Sequence, residues 1–130
     1  MPARTSSLVQ EVRTFLERLD AMDIESLGST LTEDAQSVDE ITRGWTRGRA
    51  AIEAYLSQLK DTVSHVHSEM KDPQESDWGD VGLITFVLEQ TYTMEGQQQS
   101  ISAPTSILFR RENDDWKIAL IHTVPIPEER

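Results

Sequence analysis

Two residues of the sequence have side chains suited to acid–base chemistry beside apolar walls. Asp39 ends a short predicted strand, Ala35 to Asp39, where a carboxylate among apolar neighbours could act as a general base. His122 alternates with Trp116 and Ile118 on one face of the last predicted strand, and a neutral imidazole there could shuttle a proton or orient a ligand. The alternatives are an exposed carboxylate at a strand end and a hydrogen-bonded core histidine.

His65, His67 and Glu69 occupy alternate positions of one extended segment, in an H-x-H-x-E arrangement. Three such side chains on one face of a strand could bind a divalent metal ion. Alternate positions along a strand are about 7 Å apart, however, which is long for ligands that converge on one ion. We therefore interpret these residues as polar groups on a solvated face and predict that no metal is needed.

Three aromatic residues are further candidates for the wall of a binding pocket. Trp45 lies in a loop flanked by Gly44 and Gly48, and Tyr55 and Tyr92 fall in a predicted helix and a predicted strand. Each could equally be a packing residue. The sequence contains no phosphate-binding glycine loop, no G-x-S-x-G motif, no cofactor fingerprint and no cysteine. It therefore predicts no cofactor.

The composition limits the class of protein. With 130 residues, of which 37% are hydrophobic and 27% charged, we expect one globular domain over residues 1–130. No apolar run reaches the roughly 20 residues of a bilayer-spanning helix, and the N-terminus lacks the apolar core of a signal peptide. We therefore expect a cytoplasmic protein with no membrane partner. The net charge of −11 repels a phosphate backbone and disfavours nucleic acid as a partner.

The first half of the chain has the apolar spacing of three helices. The first is predicted to begin near Ser6 or Ser7, at a capping box, and the second to run from the N-cap Asp23 to about Leu31. The third is predicted to begin around Gly48. Their apolar stripes are Leu8, Val9, Val12, Phe15, Leu16 and Leu19; Ile24, Leu27 and Leu31; and Ile52, Tyr55, Leu56, Leu59 and Val63.

From Ser64 onward the apolar period changes to two, which is typical of strands. The predicted extended segments are Ser64 to Asp72, Val81 to Thr93, Gln98 to Arg111 and Trp116 to Val124. Short turns rich in Gly, Asn and Asp separate them and indicate antiparallel hairpins. Helices followed by a meander predict an α+β domain. Because both faces of the last three strands carry apolar residues, we also predict a homodimer through the face that the helices leave open.

This order of elements resembles the nuclear transport factor 2 superfamily, particularly its SnoaL-like and ketosteroid-isomerase-like members. Four features carry the resemblance over nearly the whole chain: Asp23-Ile24, Glu33-Asp34-Ala35, Gly48, and Asp115-Trp116-Lys117-Ile118 before His122. The resemblance implies a cone-like curved antiparallel sheet with three N-terminal helices packed in its concave face, around a pocket.

The resemblance also implies roles for individual positions. The general base of a ketosteroid isomerase would correspond to Asp39, and an aromatic residue over the pocket mouth to Trp45. The tyrosine and the protonated aspartic acid of its oxyanion hole would correspond to Phe15 and Ser106, neither of which is an adequate replacement. We therefore expect a pocket lined by Phe15, Trp45, Tyr55, Tyr92 and Ser106, and no steroid isomerisation.

The resulting hypothesis is a homodimeric protein that binds a small apolar ligand in its cone. Asp39, assisted by His122, would carry out isomerase, cyclase or hydrolase chemistry on a carbonyl or epoxide compound. The alternative is a non-catalytic oligomerisation or ligand-sensing module similar to the association domain of calcium/calmodulin-dependent kinase. The pairing of the two residues depends on strand register, because a bulge in the last strand would turn His122 to the convex face.

Overall fold

The computed structural model describes residues 7–39 and 41–124. Its helices are α1 (Leu8–Asp20), α2 (Ile24–Ser29) and α3 (Arg49–Thr62). Its strands are β1 (Leu31–Val38), β2 (Thr46–Arg47), β3 (Val63–Asp77), β4 (Val81–Met94), β5 (Gln97–Glu112) and β6 (Asp115–Thr123). The predicted α+β class is confirmed, whereas the two-residue strand β2 has no counterpart in the sequence-based expectation.

Side-chain caps fix the starts of the first two helices. The hydroxyl of Ser7 accepts the amide of Gln10 at 3.2 Å, and the carboxylate of Asp23 accepts the amide of Ser26 at 3.3 Å. Hydrogen bonds from Ser26 lower the pKa of Asp23. Ser6, the other predicted start of α1, lies outside the described residues. No helix within the described ranges is both long and apolar enough to cross a bilayer.

The second helix ends earlier than predicted, and the first strand begins earlier. The hydroxyl of Thr30 donates to the carbonyl of Leu27 at 2.6 Å and closes the last turn of α2. The amide of Ile118 then donates to the carbonyl of Thr30 at 2.7 Å, and Leu31 pairs with Ile118. Leu31 therefore belongs to β1, because the backbone forms hydrogen bonds with β6 directly after the helix ends.

The six strands form one curved, open sheet in the order β2-β1-β6-β5-β4-β3. Strand β1 runs parallel to β6, and all other neighbours are antiparallel. The three helices cover the concave face. Alternate residues of β4 and β5 point into the core on that face, and they include Ile84, Phe86, Leu88 and Tyr92 from β4 and Ala103, Ile107 and Phe109 from β5.

A bulge in β6 decides which residues of that strand face the core. Phe109 pairs with Ile118 but Leu108 pairs with Leu120, so Ala119 is the extra residue. Trp116 and Ile118 are buried before the bulge, and Ile121 and Thr123 face the core after it. The prediction that His122 shares the inward face of Trp116 and Ile118 is therefore wrong. The extra residue shifts the alternation by one and turns His122 to the convex face.

Candidate functional site

The concave face of the sheet and the three helices enclose a cavity of about 110 Å³. An apolar cavity of roughly 150 Å³ is large enough to hold a benzene molecule, so this one is on the scale of a small ring compound. Its walls are mostly apolar. The residues that line it are Phe15, Leu16, Leu19, Met22, Leu27, Leu31, Ser37, Val38, Asp39, Ile41, Ile52, Tyr55, Leu56, Leu59, Val63, Val66, Phe86, Leu88, Gln90, Tyr92, Thr105, Ile107, Ile121 and Thr123.

Asp39 follows β1 directly and, among the described residues, is the charged one of this lining. Its Oδ1 accepts the backbone amides of Ile41 at 3.0 Å and Thr42 at 2.9 Å, and the hydroxyl of Thr42 at 3.1 Å. A carboxylate that binds amides two and three residues later stabilises a turn. One oxygen of Asp39 therefore holds the loop that leaves β1.

The other carboxylate oxygen of Asp39 bonds to Tyr55. The hydroxyl of Tyr55 donates to Oδ2 at 2.8 Å. Tyr55 reaches this position because α3 is anchored to β1: Gly48, the N-cap of α3 with φ +93°, donates its amide to the carbonyl of Ala35 at 2.7 Å. A positive φ of this size suits glycine. The side chains of Asp39 and Tyr55 both line the cavity, where they form a carboxylate–phenol pair.

Four further polar side chains interrupt the apolar wall: Ser37, Gln90, Thr105 and Thr123. The buried hydroxyl of Thr105 lies 3.1 Å from the carbonyl of Ala103 and 3.4 Å from the hydroxyl of Thr123. The side-chain amide of Gln90 donates to the hydroxyl of Ser68 at 2.9 Å. Sequence reasoning missed these residues. Gln90 had a detectable signal, since it interrupts the run of inward-facing apolar residues along β4.

The structure brings together some of the sequence-predicted site residues and separates others. Phe15, Tyr55 and Tyr92 line the cavity together with Asp39. Trp45, Ser106 and His122 are absent from its lining. Ser106 pairs with His122 on the convex face, because Ser106 follows the inward-facing Thr105 and His122 precedes the inward-facing Thr123. The expectation that Trp45 and Ser106 line the pocket is therefore corrected together with that for His122.

Trp45 and His122 instead form a contact on the outside of the sheet. Their ring centroids are 5.9 Å apart with an angle of 29° between the planes, and the guanidinium of Arg47 lies 5.4 Å from the Trp45 ring. Trp45 remains 49% exposed. Gly44 and the short strand β2 direct the Trp45 side chain over β6, away from the pocket.

The H-x-H-x-E residues lie on the exposed part of β3. A register shift between Ser64 and His67 interrupts the strand at His65, so His65 and His67 do not follow a regular alternation. Glu69 accepts hydrogen bonds from Lys71 at 3.1 Å and His67 at 3.2 Å, and these bonds lower the pKa of Glu69. No cluster of potential metal ligands occurs within residues 7–39 and 41–124.

Comparison with known proteins gives a family and several structural relatives. The sequence profile of the SnoaL-like domain matches residues 8–127, and no curated protein sequence matches the chain. A candidate dehydratase of the NTF2-like family from Streptomyces avermitilis is 19% identical with a TM-score of 0.82, over 92% of this chain and 95% of that one. A candidate aromatic ring hydroxylase from Novosphingobium aromaticivorans is 17% identical with a TM-score of 0.82, over 92% and 87%.

A third structural relative is named as an association domain and not as an enzyme. It is a candidate calcium/calmodulin-dependent protein kinase II association domain from Xanthomonas campestris, 16% identical with a TM-score of 0.80, over 98% of this chain and 95% of that one. At these identities the likeness concerns the fold, and the same fold serves enzymes and association modules. The profile match extends from the start of α1 to beyond the end of β6. The chain therefore belongs to the SnoaL-like domain family.

Proposed function

We propose that the protein binds a small, largely apolar molecule in its cavity and that Asp39 accepts a proton from it, in a reaction that needs no cofactor. The observation that carries this proposal is the bond between the Asp39 carboxylate and the Tyr55 hydroxyl on an otherwise mostly apolar wall. Enzymes use such groups for general acid–base catalysis. The structural relative named as a candidate dehydratase supports a reaction of this kind, since loss of water requires proton transfer.

Within this proposal, the proton is taken up at Oδ2 of Asp39. Oδ1 is occupied by the amide of Ile41 and by the amide and hydroxyl of Thr42, so it is committed to the loop. Tyr55 holds Oδ2 in place and donates its hydroxyl hydrogen to a ligand oxygen once Oδ2 is protonated. The reaction is of isomerase, cyclase or hydrolase type on a carbonyl or epoxide compound. Steroid isomerisation is not proposed, because Phe15 has no donor at the oxyanion position.

The test is the turnover of the Asp39→Asn variant. An asparagine side-chain oxygen can accept the same loop hydrogen bonds, so we expect the variant to fold and bind, with turnover lowered by roughly 100-fold or more. Asp39→Ala is less informative because it also removes the bonds that hold the loop. The matched control is Glu33→Gln, which removes one charge from an exposed position on the same strand. Unchanged turnover in Asp39→Asn would refute the assignment of the base.

A second candidate function is a non-catalytic association module. The observation that favours it is a row of leucines on the convex face, where Leu83 pairs with Leu108 and Leu108 with Leu120 across three strands. All three side chains are partly exposed. Such a row could bind a second copy of the chain and make a homodimer. The structural relative named as an association domain supports this candidate. The two functions are compatible, since they use opposite faces of the sheet.

A further inference from the structure

With the bonds that the described residues make, the Asp39 carboxylate can accept one more hydrogen bond, at Oδ2. A carboxylate oxygen accepts about two hydrogen bonds. Oδ1 already accepts three, from the amide of Ile41 and from the amide and hydroxyl of Thr42, whereas Oδ2 accepts the bond from Tyr55. Among the described residues, Oδ2 thus has one hydrogen-bond donor and can accept a second from a ligand.

The described residues that line the cavity carry negative charge, from Asp39, and no positive charge. Among the described residues, those that line the cavity include no lysine, arginine or histidine. The whole chain carries a net charge of −11. An anionic ligand would bring its charge close to the half-buried carboxylate of Asp39, and like charges at short distance repel. A carboxylate or phosphate group is therefore a poor partner for this site.

The other polar groups of the wall do not change this preference. The hydroxyls of Ser37 and Thr123 can donate or accept, and the amide of Gln90 can do both at once. The hydroxyl of Thr105 has its hydrogen directed to the carbonyl of Ala103 or to Thr123. Asp39 is consequently the group that distinguishes a donor from an acceptor on the ligand.

A ligand whose polar atoms only accept hydrogen bonds would have to compete with Asp39 for the Tyr55 hydroxyl. If the ligand won, Oδ2 would lose its present donor and gain none. A ligand hydroxyl avoids this loss, because it donates to the remaining position of Oδ2 while the bond from Tyr55 at 2.8 Å stays in place. Hydrogen bonds to a charged acceptor are the stronger kind.

We propose that the natural ligand is an uncharged, ring-sized apolar molecule that carries a hydroxyl group and donates it to Oδ2 of Asp39. The cavity volume of about 110 Å³ is comparable to the roughly 150 Å³ of a cavity that holds benzene. The inference rests on the proposed ligand-binding function of this cavity. It adds that the ligand is uncharged and that the ligand is the hydrogen-bond donor. It also places the ligand hydroxyl beside the proposed base, Asp39.

Four probes of similar size separate these properties: phenol has a donor, anisole has an acceptor alone, toluene has neither, and benzoate is an anion. Affinities are measured at neutral pH by titration into isotopically labelled protein, with amide chemical shifts in two-dimensional NMR. The shifts also locate the site, because Phe86 and Leu88 face the cavity whereas Leu108 faces outward. We expect phenol to bind about 5-fold more tightly than anisole or toluene, and benzoate at least about 10-fold more weakly than phenol.

The Asp39→Asn variant should abolish the preference for phenol over anisole, because both probes can accept a hydrogen bond from the new amide. The side-chain oxygen of the asparagine can keep the hydrogen bonds to the loop. Its amide nitrogen then takes the place of Oδ2 and offers a hydrogen-bond donor. Benzoate should also regain affinity in this variant. Glu33→Gln is the matched control and should behave as wild type. Tyr55→Phe is a second variant that leaves the loop bonds of Asp39 intact, and it should keep or increase the preference for phenol.

The outcomes distinguish the inference from the function on which it rests. If toluene or anisole binds in the cavity as tightly as phenol, or benzoate does, the inference is overturned while the cavity remains a binding site. If no probe shifts the amides of the cavity at millimolar concentration, both proposals are overturned. A preference for phenol that persists unchanged in Asp39→Asn would show that Asp39 is not the acceptor, and would also overturn the inference.

Discussion

His122 and Thr123 are neighbours in the chain and lie on opposite sides of the same sheet. Thr123 is 3% exposed, lines the cavity and has its hydroxyl 3.4 Å from that of Thr105. His122 is exposed and stacks on Trp45. The residue type better suited to proton transfer is therefore on the face opposite the described cavity. The difference shows that local register, rather than side-chain chemistry, determines which residues of β6 belong to the site.

The largest expected difference between the two faces is in stability. Ile107 and Leu108 are adjacent in β5, and Ile107 is 1% exposed on the concave side while Leu108 is partly exposed on the convex side. We expect Ile107→Ala to lower the free energy of unfolding by about 2–5 kcal/mol, because it leaves a void in the core. Leu108→Ala should cost less than about 1.5 kcal/mol in the monomer. Equal losses in urea unfolding at low protein concentration would contradict this difference.

The next prediction concerns the convex face as a contact between two copies. If the row of Leu83, Leu108 and Leu120 is buried in a homodimer, Leu108→Glu should weaken association by about 100-fold or more, because it places a charge in an apolar contact. Light scattering at tens of micromolar would then change from twice the chain mass of 14.8 kDa to that mass. Ser100→Glu, at an exposed position far along the same strand, should remain dimeric. A wild-type protein that is monomeric at this concentration would refute the dimer.

The smallest expected effect is that of removing His122. Because its ring contacts Trp45 outside the sheet, His122→Ala should leave phenol affinity unchanged within about 2-fold and cost less than about 1 kcal/mol of stability. The same titration in Asp39→Asn provides the contrast. A loss of affinity in His122→Ala comparable to that in Asp39→Asn would show that His122 contributes to the site, contrary to the register of β6.

The helices and long strands followed from the sequence because their patterns were strong. The stripe of α1, the N-caps Ser7 and Asp23, and the change to a period of two all gave unambiguous signals. The register of β6 could not be predicted in this way. Both alternating sets of that strand contain apolar residues, so a shift of one residue at Ala119 leaves the hydrophobic pattern almost unchanged. The bulge is visible only in the pairing of β6 with β5, and the sequence of a single strand does not contain that information.

The candidate site was predictable to a similar extent. Asp39 could be identified as a carboxylate at the end of β1, because its position depends on the order of elements. Its bond to Tyr55 could not be identified, since Tyr55 is 16 residues away on a helix whose direction is set by Gly48. The commitment of Oδ1 to Ile41 and Thr42 was equally invisible, because it depends on the conformation of the loop.

The most direct test of the account is a crystal structure of the protein with phenol bound. The central claim is that the Asp39–Tyr55 pair is the polar end of a ligand site inside the cone. We predict that the phenol ring lies among Leu59, Phe86 and Ile107, with its oxygen about 3 Å from Oδ2 of Asp39 and the Tyr55 bond retained. Phenol ordered in the cavity with its oxygen turned away from Asp39, or ordered only on the convex face, would contradict the account.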